Sequence, residues 1–374
     1  MATGPRDTTS LVSLTGWDAT ELNNYRLMDG TNFNAIVASL NGALGAVNGE
    51  IANDPLYSSL VSYTDVPELE YRVGAANAMQ RFTEYGRPDA ARAATEGHML
   101  PLSAFDGALG WTWDYLRKAR MSQIEADIAD AAKNIRDRFR ISVLTRLLQR
   151  GDDSGVANGL GAGGYSPGFA TTAAQTNVDF VPPAVGGNVF TSTHEHYNTI
   201  AGGHFTNAVF TDSRAELIEH GHNPPYEYIV GTTDAATVVG LTDFVPTAKE
   251  LIRYSSGVDL ATFAAQYGMN GVYSIGTIHE FRVWVVPGMP QYYGFGWKSY
   301  GSNSQRNPLR IRLQKGQTRL QATAFPDPRS GAGAAYPLQE MIYFLEYGVG
   351  VADRTAGAPY YVNHANTWTD GTAA

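Results

Sequence analysis

The sequence predicts an α+β fold, with helices and strands in irregular order and no regular βαβ alternation. Three observations carry this. One amphipathic stretch after residue 120 is much longer than an average helix. Short runs of alternating apolar residues gather in the second half of the chain. Glycine (40) and tyrosine (21) are plentiful, which suits loop-rich architecture containing strands. A length of 374 residues exceeds what one small domain holds, and 43% hydrophobic residues supply a substantial core.

In chain order, the first helix is predicted over Asn32–Ile51, where Phe33, Ile36, Val37, Leu40, Leu44 and Val47 recur at helical spacing. Residues 63–118 read as a long hairpin. Its outgoing limb holds Glu68–Val73 and Met79–Glu84. Its tip is Gly86-Arg87-Pro88-Asp89, where glycine and proline set a turn. Arg92 and Glu96 follow, and the return limb runs through His98–Phe105 and Trp111–Tyr115. Trp111 and Trp113, two apart on an extended limb, would face one side, suiting core packing or a subunit contact.

The long helix opens at Ser122 with Glu125 three residues on, the spacing of a capping box. Met121, Ile124, Ile128, Ala131, Ile135, Phe139 and Val143 form its apolar stripe, charges fill the other faces, and Gly151 ends it. About 27 residues at about 1.5 Å each make a rod of roughly 40 Å. A glycine-rich segment (151–187) follows, then a helix at Thr206–His220, a strand at Tyr226–Gly231 and a helical stretch at Asp234–Leu241. Alternation marks further strands at Val272–Ile278, Phe281–Val286, Leu309–Leu313 and Leu338–Tyr347, the first preceded by the turn signal Asn270-Gly271.

Composition excludes several function classes. Cysteine is absent, so disulfides, thiolate metal sites and cysteine nucleophiles are ruled out. The net charge is −9, which is not that of a generic nucleic-acid binder. Only five of the 27 basic residues are lysine (118, 133, 249, 298, 315). The arginine that makes up the rest favours forked contacts with carboxylates at interfaces. The first ten residues lack the basic and apolar regions of a signal peptide, and no apolar stretch reaches membrane-spanning length. These features predict a soluble protein made in the cytoplasm.

Motifs with catalytic potential are few. Gly159-Leu160-Gly161-Ala162-Gly163-Gly164 matches G-x-G-x-x-G, but a helix precedes it and Tyr165-Ser166-Pro167-Gly168 follows, so a flexible loop is the better reading. Asp152-Asp153 read as solvated loop charges. His194, His196 and His204 lie close together, with His220 and His222 soon after. H-x-H on a strand would aim both rings to one side and could hold a metal. No H-E-x-x-H accompanies it, Asp212, Glu216 and Glu219 read as helix-surface charges, and a structural role for these histidines is favoured. No catalytic residue, metal or cofactor is expected, and enzymatic activity is not predicted.

The order of parts resembles the major capsid proteins of tailed bacteriophages, the Hong Kong 97-type fold. The residues that carry the resemblance are 109–120 (LGWTWDYLRKAR), like the base of that family's extended loop. Residues 193–222 resemble the segment leading into its axial domain. Residues 337–352 (PLQEMIYFLEYGVGVA), with Asp353 and Arg354, resemble its final strand pair around a Gly-Val-Gly turn. The resemblance implies an N-terminal arm (1–62), an extended loop (63–118), and a peripheral domain with the spine helix (119–225 and 336–362). It also implies an axial domain (226–335) and a C-terminal tail (363–374).

By the same resemblance, the chain self-assembles through hexamers and pentamers into an icosahedral shell enclosing double-stranded DNA, located in the virion. An encapsulin-like protein compartment is the alternative. Scaffolding, portal and decoration proteins are the further partners implied, with DNA contacted weakly by an acidic wall and no membrane partner. Some family members join subunits covalently through a loop lysine. No lysine lies between Tyr63 and Arg117, so association is expected to be noncovalent. Arg87, Asp89, Arg92 and Glu96 at the loop tip are the candidate intersubunit contacts.

Overall fold

The computed structural model describes residues 26–73, 94–151, 166–171, 180–247, 271–326, 338–363 and 367–373. They fall into two compact units, one of residues 1–53, 103–139 and 319–347, the other of 54–102, 140–318 and 348–374. The elements in chain order begin with helices α1 (Phe33–Asn53) and α2 (Pro55–Leu60) and strands β1 (Val61–Thr64), β2 (Glu68–Val73), β3 (Ala94–Met99) and β4 (Ser103–Thr112). Helices α3 (Trp113–Lys118) and α4 (Met121–Leu148) follow, then β5 (Asn198–Ala201), α5 (Asn207–Glu219), β6 (Tyr226–Gly231), α6 (Ala235–Val239) and β7 (Val245–Pro246). The chain continues through β8 (Tyr273–Ile278), β9 (Phe281–Val286), β10 (Tyr293–Trp297), β11 (Leu309–Arg312), β12 (Thr323–Pro326), β13 (Leu338–Val351) and β14 (Gly357–Asn363).

In the first unit, α1 buries all six residues that predict it, and Ile51 besides. The α4 residues of this unit bury Ile124, Ile128, Ala131, Ala132, Ile135 and Phe139. Arg136 Nε donates to Glu50 Oε2 at 2.6 Å and ties α4 to α1. The helix begins at Met121, so Ser122 lies inside the first turn and the predicted Ser122–Glu125 box is replaced. Gln123 Oε1 accepts the Arg120 amide (2.9 Å), and Asp29 Oδ2 accepts the Met121 amide (2.8 Å). That bond holds the Asp29 carboxyl below its ordinary pKa.

The first ten residues of β13 pair antiparallel with the whole of β4, Leu338 opposite Thr112 and Tyr347 opposite Ser103. β12 pairs with β13 as well, Thr323 opposite Phe344. From Ser103 to Gly110, β4 alternates half-buried and exposed residues, as a strand with one covered face does. Phe105 and Phe139 pack on Tyr347 with ring centroids at 5.3 and 5.8 Å. The Tyr347 hydroxyl donates to the Arg138 carbonyl at 3.1 Å. Trp111 is buried and its Nε1 donates to Asp127 Oδ2 at 2.8 Å. The strand stops at Thr112, whose Oγ1 accepts the Tyr115 amide and caps α3. Trp113 therefore opens a helix, and the expectation that both tryptophans share one strand face is corrected.

The second unit is built on a seven-stranded mixed sheet, order β5-β14-β10-β6-β9-β8-β7. β6 and β9 run parallel at its centre, Tyr226 opposite Phe281, and β5 runs parallel to β14; the other pairs are antiparallel. All six residues of β6 and five of the six in β9 are buried, which is why both read as nearly continuous apolar runs. Val209, Phe210 and Leu217 of α5 join Tyr228, Val230, Phe281, Val283 and Val285 in one core cluster. The lone buried carboxylate of β6, Glu227, accepts from Arg282 Nε (2.8 Å) and Trp284 Nε1 (2.7 Å), which offsets its desolvation. β2 and β3 form a separate antiparallel pair, Glu68 opposite Met99; Met79–Glu84 lies outside the described residues.

A further ladder in this unit joins β1 to β11 in parallel and β11 to Gly348–Val351 of β13 in antiparallel. The Gly348-Val349-Gly350 sequence is thus the end of a strand. The expectation of a turn there is corrected. Its glycines are packing glycines: Leu100 and Pro101 lie against their α-carbons and leave no room for side chains.

Candidate functional site

Of the four residues predicted at the loop tip, Arg87, Asp89 and Arg92 lie outside the described residues. Glu96 has its backbone in β3, opposite Tyr71, and its side chain is likewise outside the description. The segments Gly159–Gly164 and Asp152-Asp153 also fall outside it.

The histidines converge on a defined geometry in the second unit. His194 and His196 stand on the extended segment leading into β5; the segment turns at Thr191, whose carbonyl accepts the His194 amide at 3.1 Å. Extended backbone sends alternate side chains to one side. The intervening Glu195 points elsewhere, to Arg150 Nη2 (2.7 Å) and Thr171 Oγ1 (3.0 Å). Helix α5 ends at Glu219 with His220 as its C-cap, which presents both residues to the same spot.

The Nε2 atoms of His196 and His220 are 2.8 Å apart, those of His194 and His220 2.8 Å, and those of His194 and His196 3.1 Å. Glu219 Oε1 lies 3.1 Å from His194 Nε2 and 3.6 Å from His220 Nε2. The four candidate ligand atoms all fall within 4.8 Å of one another. His196 is wholly buried, and its Nδ1 donates to the Gly357 carbonyl at 2.7 Å, which leaves Nε2 as a lone pair facing the cluster. Phe190 stacks on His220 at 4.2 Å and touches the His194 ring at 4.8 Å. The His194 and Glu219 side chains retain 19% and 33% exposure, so solvent reaches the cluster from that side.

Burial keeps these rings neutral. It drives His220 down to about 2 and His196 to about 3, and lowers His194 against an opposing pull from Glu195. Burial also raises Glu219. The arrangement offers three imidazole lone pairs and one carboxylate oxygen to a common centre.

Of the histidines weighed in the sequence, the structure brings together His194, His196 and His220. His204 stands apart, its Nδ1 on the Gly202 carbonyl (2.8 Å). His222 bonds Tyr300 Oη (2.5 Å) and Thr355 Oγ1 (3.1 Å). The expectation that Glu219 is an ordinary helix-surface charge is corrected, since its Oε1 meets the histidines. Its place in the last helical turn, directly before His220, was the available signal.

No family model matches the chain, and no curated protein matches it. Solved structures do. One titled "Mycobacterium phage Patience" superposes with a TM-score of 0.61 at 20% identity, over 92% of this chain and 91% of that one. The chain shares that structure's fold. Similarity extends to the capsid of a native GTA particle (TM-score 0.48, 14% identity, 84% and 90% covered). It extends also to the bacteriophage PhiM1 mature capsid (TM-score 0.47, 11% identity, 83% and 87% covered). Among the described residues, no helix is long and apolar enough to cross a membrane.

Proposed function

We propose that the chain is the major capsid protein of a tailed bacteriophage. It adopts the Hong Kong 97-type fold and assembles through hexamers and pentamers into an icosahedral shell around double-stranded DNA. The observation that carries this is the shared fold with the Mycobacterium phage Patience structure across nine-tenths of both chains. The sequence supports it independently through its order of parts: arm, extended loop, long spine helix, glycine-rich turn, mixed α/β domain and returning C-terminal strand. Each subunit reaches its neighbours with outlying segments, and many moderate contacts sum to a durable container. Net charge of −9 suits a wall that holds DNA without gluing it. On this reading the protein is structural, resides in the virion, and works alongside scaffolding, portal and decoration proteins.

Electron microscopy of the purified full chain, expressed alone and with the phage's own assembly partners, tests this. Closed icosahedral particles are expected. A compact monomer under every condition overturns the reading, and particles from infected cells that carry protein and no nucleic acid would turn it towards an encapsulin-like compartment.

A further inference from the structure

Three Nε2 atoms in a triangle of 2.8, 2.8 and 3.1 Å cannot satisfy one another. A neutral imidazole nitrogen either donates or accepts, never both. Three such atoms therefore share at most two hydrogen bonds, and the third edge sets like against like. His196 is already committed, because its single N–H serves Gly357. Burying polar nitrogens in this way is costly unless something at the centre engages their lone pairs.

A cation does so. We propose that His194, His196, Glu219 and His220 form a binding site for one zinc-class divalent cation. A tetrahedron with arms of about 2.0–2.1 Å has edges of about 3.3 Å. Five of the six ligand–ligand distances, 2.8 to 3.6 Å, bracket that edge, and all six lie within 4.8 Å. Three imidazoles and one carboxylate are donors that zinc accepts and that calcium or magnesium do not favour. The surroundings fit as well. The His196 Nδ1–H bond to Gly357 fixes that ring's tautomer and orientation, and Phe190 covers two of the rings with an apolar face.

Four protein ligands fill a tetrahedron, so the site is structural rather than hydrolytic. It clips the segment before β5 to the end of α5, within one unit of one chain. In a protein without cysteine, it serves the purpose a disulfide serves elsewhere.

The test uses the full chain, stripped with chelator and titrated with Zn²⁺, with Co²⁺ as the spectroscopic probe. About one equivalent of Zn²⁺ should bind per chain, Co²⁺ should give the intense visible bands of tetrahedral coordination, and thermal stability should fall on stripping. His194→Gln and Glu219→Gln sit at the open side of the cluster and should leave the chain folded. His194→Gln should weaken Zn²⁺ at least about 100-fold, and Glu219→Gln about 10–100-fold. His204→Ala should change nothing. A folded chain that takes up no Zn²⁺, or binds it with an affinity indifferent to His194→Gln and Glu219→Gln, overturns the proposal.

Discussion

Gly348 and Pro101 stand in backbone contact: a Cβ built on residue 348 would lie 1.8 Å from the Pro101 carbonyl oxygen. Backbone cannot rotate away as a side-chain tip can. Gly348→Ala is expected to destabilise the chain by about 3 kcal/mol or more. Denaturant unfolding measures it, and a loss under about 1 kcal/mol would mean the close approach is not real.

Gly107 faces Tyr343 across the β4–β13 ladder, and a Cβ there would lie 2.2 Å from the tyrosine ring. Gly107→Ala should therefore cost about 1–3 kcal/mol. Tyr343→Ser in the same chain should recover much of that cost. Non-additivity in the double-mutant cycle is the readout, and strictly additive effects would refute the packing account.

Trp111 Nε1 donates to the Asp127 carboxylate from a buried ring. Trp111→Phe keeps most of the apolar area and loses that bond. A loss of about 1–3 kcal/mol is expected, with Asp127→Asn less costly because an amide oxygen still accepts. Equal stability of Trp111→Phe and the parent would assign the bond no weight.

His98 in β3 is held down to about 4, chiefly by burial and then by the positive charges of Arg354 and Arg146; a backbone bond at Val351 opposes this. The unfolded chain takes up the proton near pH 6.5, before the folded chain does. Stability from keeping this ring neutral is thus fully present above pH 6.5 and lost as pH falls towards 4, by about 2–3 kcal/mol. His98→Gln should flatten the stability profile in that window relative to the parent. Other histidines contribute equally to both proteins, so parallel profiles would exclude His98 as the source.

If Arg87, Asp89, Arg92 and Glu96 make contacts with a neighbouring subunit, replacing all four with alanine should weaken assembled particles more than the isolated chain. Single exposed pairs give about 0–1 kcal/mol, so the effect should emerge only through repetition around the shell. Equal thermal shifts for particle and free chain would remove these residues from the interface.

Periodicity made much of this molecule legible from its residues. α1 buries the stripe that its spacing marked, α4 buries all of its stripe but Met121, and β6 and β9 coincide with the predicted strands because burial on both faces leaves an unmistakable apolar run. β10 escaped because its sequence, Tyr-Gly-Phe-Gly-Trp, has a loop-like composition. Its glycines are there because Tyr228 lies over both α-carbons, a fact of the neighbouring strand. The helix cap was misassigned for a similar reason, since Asp29 reaches Met121 from 92 residues away. At the histidine cluster, the H-x-H spacing was visible. That Glu219 and His220 meet it was signalled only by their adjacency at the helix end, because helical periodicity reports which face meets the core and says nothing about what the end of a helix touches.

The seven-stranded sheet finishes, among the described residues, in β7, which is two residues long and ends in Pro246. Proline offers no amide hydrogen, and two residues give a visiting strand almost nothing to register against. Along Val245-Pro246 itself, that margin offers little to growth by strand addition. Backbone pairing with another copy at those two residues would rest on Val245 alone, so a contact there draws chiefly on side chains.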